Sequence, residues 1–314
     1  MNGSDYAIIS PVHNESAFLP RVIESIRTQS HQPALWVVVD DRSTDNTWSI
    51  LQTAVRRLPY LKPVKVTGAA GRQVGSNIVR LFNTGYMHLP SDTPFVVNMD
   101  ADILLPSHYF STLLARFASD QRLGMASGKT YIKRKGRWVL ERSTDVSVIG
   151  ACKAYRHDCL KDIGGLLPMN GWDTLDGVKA RMMGWHTRSF RDLPIRHLRP
   201  VGSAKGVHRT NLDIGSDCYG MRADPLFVLA KAIYRSLQRP YLSGLLIFAG
   251  YLLCCLRGGP RLDDRRLVRF LRREQRHYLI GRNLDQIQLF PRVLPNAPRA
   301  GNASDRRAAV DRKG

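Results

Sequence analysis

Two features of the first hundred residues predict an α/β fold built on a mostly parallel sheet with helices on both faces. Short apolar runs rich in β-formers alternate with longer runs whose apolar residues fall at helical spacing, giving a strand–helix–strand–helix–strand–helix–strand succession. Three of the strands also stop at polar clusters: Pro11-Val12-His13-Asn14-Glu15, Asp40-Asp41-Arg42-Ser43 and Asp100-Ala101-Asp102. In a parallel sheet the strands' carboxyl ends share one rim and ligands bind there, so the three clusters are expected to meet.

Tyr6–Ser10 reads as a short buried strand ending at Pro11. Phe18, Val22, Ile23 and Ile26 form an apolar stripe over Phe18–Gln29, with Glu24 and Arg27 off it. Leu35–Val39 is the second strand. It is followed by a helix over Thr47–Leu58 that Thr44 or Asp45 can cap and Pro59 ends. A third strand is expected at Val64–Thr67, then a Gly-rich stretch Gly68–Gly75, a helix over Ser76–His88 and a fourth strand at Phe95–Met99. Beyond that the pattern loosens. Strands over Met125–Ile132 and Trp138–Leu140 flank the basic turn Lys133–Arg137, a strand and short helix share residues 150–165, and a helix spans Asp173–Gly184. Past Asp224-Pro225, helices are predicted at Pro225–Leu237, Tyr241–Leu256 and Asp263–Gly281. The expected division is a domain over 1–222, a helical region over 223–290 and a disordered basic tail over 291–314.

The 314-residue chain is 43% hydrophobic and 23% charged, which excludes wholesale disorder. Its net charge is +21, unevenly placed: residues 1–180 hold 21 basic and 16 acidic side chains, residues 181–314 hold 26 and 10. The basic half calls for an anionic partner, nucleic acid or a membrane surface. Five cysteines show neither zinc-site spacing nor a disulfide framework, which favours a reducing, cytoplasmic setting. The opening residues lack the basic and apolar regions of a signal peptide. The longest uncharged apolar run, Tyr241–Leu256, has 16 residues, short of the roughly 20 that cross a bilayer. Nine arginines follow it within residues 257–282. That pairing suits a protein resting on an anionic leaflet, and equally a core helix beside a charged surface helix.

Two carboxylates at i and i+2 just past a strand end, Asp100 and Asp102, can converge on one Mg²⁺ or Mn²⁺ and leave positions open for phosphate oxygens. The same pair could merely turn the chain into a helix. Asp41 can accept a hydrogen bond from a nucleobase N–H, or help Ser43 form a turn. His13 offers a flat ring for a base, or is a loop residue without a duty. His197, Arg199, Lys205, His208 and Arg209 form a basic stretch that could grip a diphosphate, with His208 as a further metal ligand, or could be a solvated loop.

In order and spacing, Pro11–Glu15, Val38–Thr47 and Asn98–Asp102 resemble the opening signatures of family 2 glycosyltransferases, usually P-x-Y-N-E, V-V-D-D-G-S-T-D-x-T and x-x-D-A-D. Two positions depart: His13 stands where the family has another aromatic, and Arg42 where it has glycine. The resemblance covers roughly residues 5–200 and implies the GT-A, Rossmann-like nucleotide-sugar transferase fold over 1–222, with a C-terminal helical extension. It implies that Pro11, His13, Glu15 and Asp41 border the base and ribose, as do Gly75 and Arg80. Asp100 would lie near ribose and metal, and Asp102 would hold Mn²⁺ or Mg²⁺ on the diphosphate. The family's catalytic base opens a helix eleven residues before a Gly-aromatic pair. Gly184-Trp185 places it at Asp173, with Trp172 replacing the usual Glu and Asp176 as second choice, one turn further on the same face.

The function so implied is inverting, metal-dependent transfer from a nucleotide-diphosphate sugar, UDP-linked by preference, to a glycan or lipid-linked acceptor. The setting would be polysaccharide biosynthesis at the inner face of a membrane. A nucleic-acid-binding protein is the competing class. Against it, the basic half lacks RNP-like aromatics and zinc-finger spacing, and the rim carries carboxylates. A Mg²⁺-dependent nucleotidyltransferase would favour a glycine- and lysine-bearing loop after the first strand, whereas Pro11–Glu15 has no glycine.

Overall fold

The computed structural model describes residues 6–67, 77–141, 143–148, 150–199 and 206–280. The first hundred residues form β1 (Tyr6–Val12), α1 (Leu19–Arg27), β2 (Leu35–Asp40), α2 (Thr47–Val55), β3 (Leu61–Lys65), α3 (Asn77–Tyr86) and β4 (Phe95–Met99). β1 pairs in parallel with both β2 and β4, and β2 with β3. Strand order β3-β2-β1-β4 therefore reverses its direction of growth at β1, the position where an α/β sheet opens a crevice for a ligand.

β1, β2 and β4 are largely apolar because both faces are covered, whereas β3 at the sheet edge carries Lys62 and Lys65. Ile8, Trp36, Val38 and Val97 point into one core, which Val22 and Ile26 of α1 and Leu51 of α2 complete. Ile9, Val37, Val39 and Val96 point the other way, against Val79 and Phe82 of α3. Gly85 lets α3 lie directly on β1, since a Cβ there would come 2.5 Å from Ile9 Cγ2.

The chain continues as β5 (Ile103–Leu104), α4 (Tyr109–Ser119), β6 (Leu123–Arg134), β7 (Arg137–Leu140), β8 (Cys152–Arg156), α5 (His157–Asp162), α6 (Trp172–Met182) and β9 (His186–His197). β8 runs antiparallel to both β4 and β6, β7 hairpins back on β6, β9 is parallel to β6, and β5 is antiparallel to β9. Four of the eight ladders are antiparallel, so the sheet is mixed, where the sequence predicted a mostly parallel one. Strand–helix–strand crossovers enforce parallel pairing only as far as β4. β9 was not foreseen either. Arg191, exposed where a buried residue is due, breaks its alternation, and a register shift between Gly128 and Lys129 of β6 absorbs the irregularity.

The C-terminal helices are α7 (Val207–Gly220), α8 (Pro225–Ser236), α9 (Leu242–Arg257) and α10 (Arg265–Leu279). Asp224 and Asp264 cap α8 and α10 by accepting from backbone N–H groups of the first turn. α7 packs on α9 at nearly backbone contact. A Cβ on Gly250 would lie 2.2 Å from the Leu212 carbonyl oxygen, and one on Gly215 would lie 2.0 Å from that of Ile247. Gly250→Ala is therefore expected to cost about 1–3 kcal/mol, read as a lower thermal midpoint. An unchanged midpoint would mean that the helices separate freely.

Leu267, Val268 and Leu271 of α10 share a core with Leu175 and Val178 of α6, which ties the helical extension to α6. α7, which packs on α9, lies inside the stretch expected to close the first domain. The predicted tail over 291–314 lies outside the described residues.

Candidate active site

The carboxyl ends of β1 and β2 are in register, Val12 opposite Asp40 and Pro11 opposite Val39. Past β1 the chain turns at Asn14, whose φ is 56°, and Arg42 past β2 has φ 58°. Left-handed backbone at two residues other than glycine is a local strain, which surrounding bonds must hold. Asn14 N–H donates to Ser43 Oγ (2.9 Å) and its Oδ1 accepts from Thr44 N–H (2.8 Å), so the two turns brace each other. His13 is exposed, with Nδ1 2.7 Å from the Asp41 carbonyl oxygen.

Asp41 is buried beneath this pair and accepts from Asn77 Nδ2 (2.8 Å) and Arg80 (3.1 Å), with Arg42 at 2.9 Å. Burial alone would raise its pKa. The Asn77, Arg42 and Arg80 contacts outweigh it and hold the carboxyl below the usual range, so Asp41 is an ionised acceptor.

The second cluster forms where β4 ends. Asp100 N–H donates to the Ala151 carbonyl (2.9 Å), and the Asp102 carbonyl accepts from Leu198 N–H (2.8 Å). The short β5 ladder sets Ile103 opposite His197. That pairing carries the His197 ring to Asp102, Nε2 3.0 Å from Oδ1, across 95 residues of sequence. One ligand atom from each of Asp100, Asp102 and His197 lies within 4.8 Å of the others. Burial, then the Asp102 charge, push Asp100 up to about 7. Burial would lower His197, but its bond to Asp102 and the charges of Asp102 and Asp100 raise it on balance. Both shifts record negative charge crowded into a dry site, which a divalent cation relieves. His197 Nδ1 is buried with no hydrogen-bond partner among the described residues. Two carboxylates and an imidazole fit Mn²⁺, and the carboxylates alone suit Mg²⁺.

Arg199 joins the two clusters. Its Nε lies 3.3 Å from Asp102 Oδ2, its other end pairs with Glu15, and its guanidinium lies 4.9 Å from the Phe18 ring centroid. Burial raises the Glu15 pKa, and Arg199 offsets this only in part. Glu15 thus serves as the anchor of Arg199.

Asp173 stands in the first turn of α6. The helix starts on Gly171 at φ 78°, so Asp173 is not the cap. It is exposed, and its carboxylate has no hydrogen bond or ion pair among the described residues. A Cβ on Gly150 would lie 3.6 Å from Asp173 Oδ2. The adjoining Ala151 holds Asp100, and the Asp173 charge contributes to the upward shift of Asp100.

Asp176, expected to share that open face, turns inward instead. It is buried and accepts from Lys153 Nζ (2.9 and 3.0 Å), Tyr155 Oη (2.6 Å) and the Gly177 N–H (2.6 Å). An acceptor hydroxyl cannot reach it, which removes Asp176 as a candidate base. Lys153 also donates to the Asp173 carbonyl oxygen (2.6 Å).

The imidazole beside the carboxylates is His197. His208, the residue the sequence suggested as a ligand, is exposed on the first turn of α7 and is not part of the Asp100–Asp102–His197 group. Gly75 lies outside the described residues. Asn77, Lys153 and the linking role of Arg199 were not foreseen. Of these only Lys153, a lysine inside the apolar strand β8, left a trace in the sequence.

Residues 7–164 match the family model described as glycosyl transferase family 2. No curated protein matches the chain. Among solved structures it is similar to the mannosyltransferase PcManGT from Pyrobaculum calidifontis in complex with GDP-Man and Mn²⁺, with TM-score 0.55 and 20% identity over 88% of this chain and 85% of that one. It is also similar to S. aureus TarS 1-349 in complex with UDP-GlcNAc, with TM-score 0.53 and 15% identity over 94% of this chain and 98% of that one. At these identities the likeness is one of fold.

Proposed function

The chain belongs to glycosyl transferase family 2, and we propose that it moves a sugar from a nucleotide diphosphate to an acceptor hydroxyl, inverting the anomeric carbon. The observation that carries this reading is the Asp100–Asp102–His197 group with Asp173 near enough for its charge to act on Asp100, the Asp173 carboxylate having no partner among the described residues. A divalent cation held by Asp100, Asp102 and His197 would neutralise charge on the departing diphosphate.

The remaining steps fall to side chains. The His13 ring lies against the base. Asp41, kept ionised by Arg42, Arg80 and Asn77, accepts from the base N–H, and Pro11 closes the floor of that pocket. Arg199, locked between Glu15 and Asp102, holds the diphosphate end. Asp173 takes the proton of the acceptor hydroxyl as its oxygen bonds to the anomeric carbon. The bond from that carbon to the diphosphate oxygen breaks on the opposite face, its electron pair leaving with the diphosphate.

A UDP-linked donor and a lipid-linked or glycan acceptor at the inner face of a membrane complete the reading. The basic charge of residues 181–314 supports that setting. The test is nucleotide released from a panel of UDP- and GDP-sugars with Mn²⁺, with Mg²⁺ and with neither. Metal-dependent release is expected from at least one donor, and none from any donor would overturn the proposal. Asp102→Asn is expected to raise the half-saturating Mn²⁺ concentration at least about tenfold. An unchanged requirement would move the metal elsewhere.

A further inference from the structure

Helices α8 and α9 leave an apolar surface with no partner among the described residues. Leu226, Leu229, Ile233 and Leu237 recur at three- or four-residue steps along α8 and are 42–74% exposed. Leu242, Leu245, Leu252, Leu253 and Leu256 follow one side of α9 and are 41–84% exposed. The inner sides of both helices are already used: Val228, Ala232, Ile247 and Gly250 are buried, and Gly244 packs against the Ala232 carbonyl. Exposed Leu237 and Leu242 end the two stripes on either side of the connecting turn, where Tyr241 is 59% exposed. Single surface leucines are ordinary, but nine aliphatic side chains in register on two adjacent helices mark an interaction face.

Charge decides what covers it. Residues 225–262 contain Lys231, Arg235, Arg239, Arg257 and Arg261 and no Asp or Glu. Arg239 and Arg257 are exposed at the ends of the stripes, and α10 adds exposed Arg265, Arg266, Arg269 and Arg273. A second copy of this chain would bring the same cationic rim against itself and be repelled. Helix length excludes spanning. At 12 and 16 residues, α8 and α9 reach about 18 and 24 Å, and among the described residues no helix is long and apolar enough to cross a membrane.

We propose that the outer faces of α8 and α9 lie in the plane of an anionic bilayer, their leucines and Ile233 among the upper acyl chains and the flanking arginines on the headgroups. This deepens the reading of a membrane-side acceptor and rests on it, since the docked face is what would hold the rim near a lipid-linked substrate.

The test is flotation of the full chain with phosphatidylcholine vesicles, with and without phosphatidylglycerol. Co-flotation is expected only with phosphatidylglycerol at low salt, falling at least about tenfold near 0.5 M salt. Leu226→Ser/Ile233→Ser and Leu245→Ser/Leu256→Ser are each expected to weaken it at least about tenfold. Nucleotide release from free donor should be unchanged in both, which also reports an intact fold. Three results would overturn the proposal: no flotation at low salt, serine variants that float like the parent, or a parental dimer in solution that the serine variants dissociate. A parent chain that turns over donor yet never floats removes the surface alone, whereas a parent chain that floats yet turns over no donor removes the transferase reading alone.

Discussion

Asp173→Asn is expected to slow transfer by about 10²–10⁴-fold while leaving donor affinity within about twofold. The exchange keeps the shape of the side chain and removes only the capacity to take a proton. Nothing else around it should move. The Asp173 main chain is fixed by the Lys153 bond to its carbonyl, and the carboxylate has no structural partner among the described residues. The base pocket proposed around His13 and Asp41 is built on other elements, β1, β2 and α3. Donor titration by calorimetry with Mn²⁺ present, alongside acceptor turnover, separates the two quantities. Turnover at the parental rate would place the base elsewhere on the rim. A large loss of donor affinity would instead mean that Asp173 acts through the neighbouring Asp100.

The parts legible in the sequence are those in which one local rule decides the outcome. Leu35–Asp40 is apolar until it meets the rim, so both its burial and its polar stop show in the residues. Phe18–Gln29 shows its apolar stripe directly. What failed depends on pairing between distant segments. His197 reaches Asp102, 95 residues away, only because Ile103 pairs with it, and β9 hides because Arg191 interrupts its alternation. His208 shares the same basic stretch, and nothing local in the residues separates the two imidazoles. α7 has no apolar stripe, because it packs through glycines and main-chain oxygens that carry no hydropathy. Asp173 and Asp176 also look alike as carboxylates one turn apart. They are distinguished only by Lys153 and Tyr155, which arrive from β8.

Removing either partner of the Lys153–Asp176 pair is expected to destabilise the protein by about 3–5 kcal/mol, among the largest single losses available to this fold. Both side chains are 0% exposed and 2.9 Å apart, so neither survivor can find water. The two deletions should differ in their dependence on pH. Burial already pushes the Asp176 carboxyl up, and the Lys153 charge, the Tyr155 bond and the Lys153 bond only partly pull it back. In Lys153→Met two of those restraints go, so the folded pKa rises further above the unfolded value. A folded state that binds the proton more tightly loses stability as pH rises through that pKa, so the deficit of Lys153→Met should widen from mildly acidic to alkaline buffer. Asp176→Asn should show no such widening, since an amide at that position has no carboxyl proton to lose over that range. Denaturant titrations at several pH values read both. The double change Lys153→Met/Asp176→Leu removes both charges at once and should cost less than the sum of the single changes. It still deletes the bond to the Asp173 carbonyl. If that bond sets where the base sits, the refilled variant will fold and bind donor, yet turn over more slowly than the parent. Parental turnover in a stable double variant would reduce the pair to a packing element.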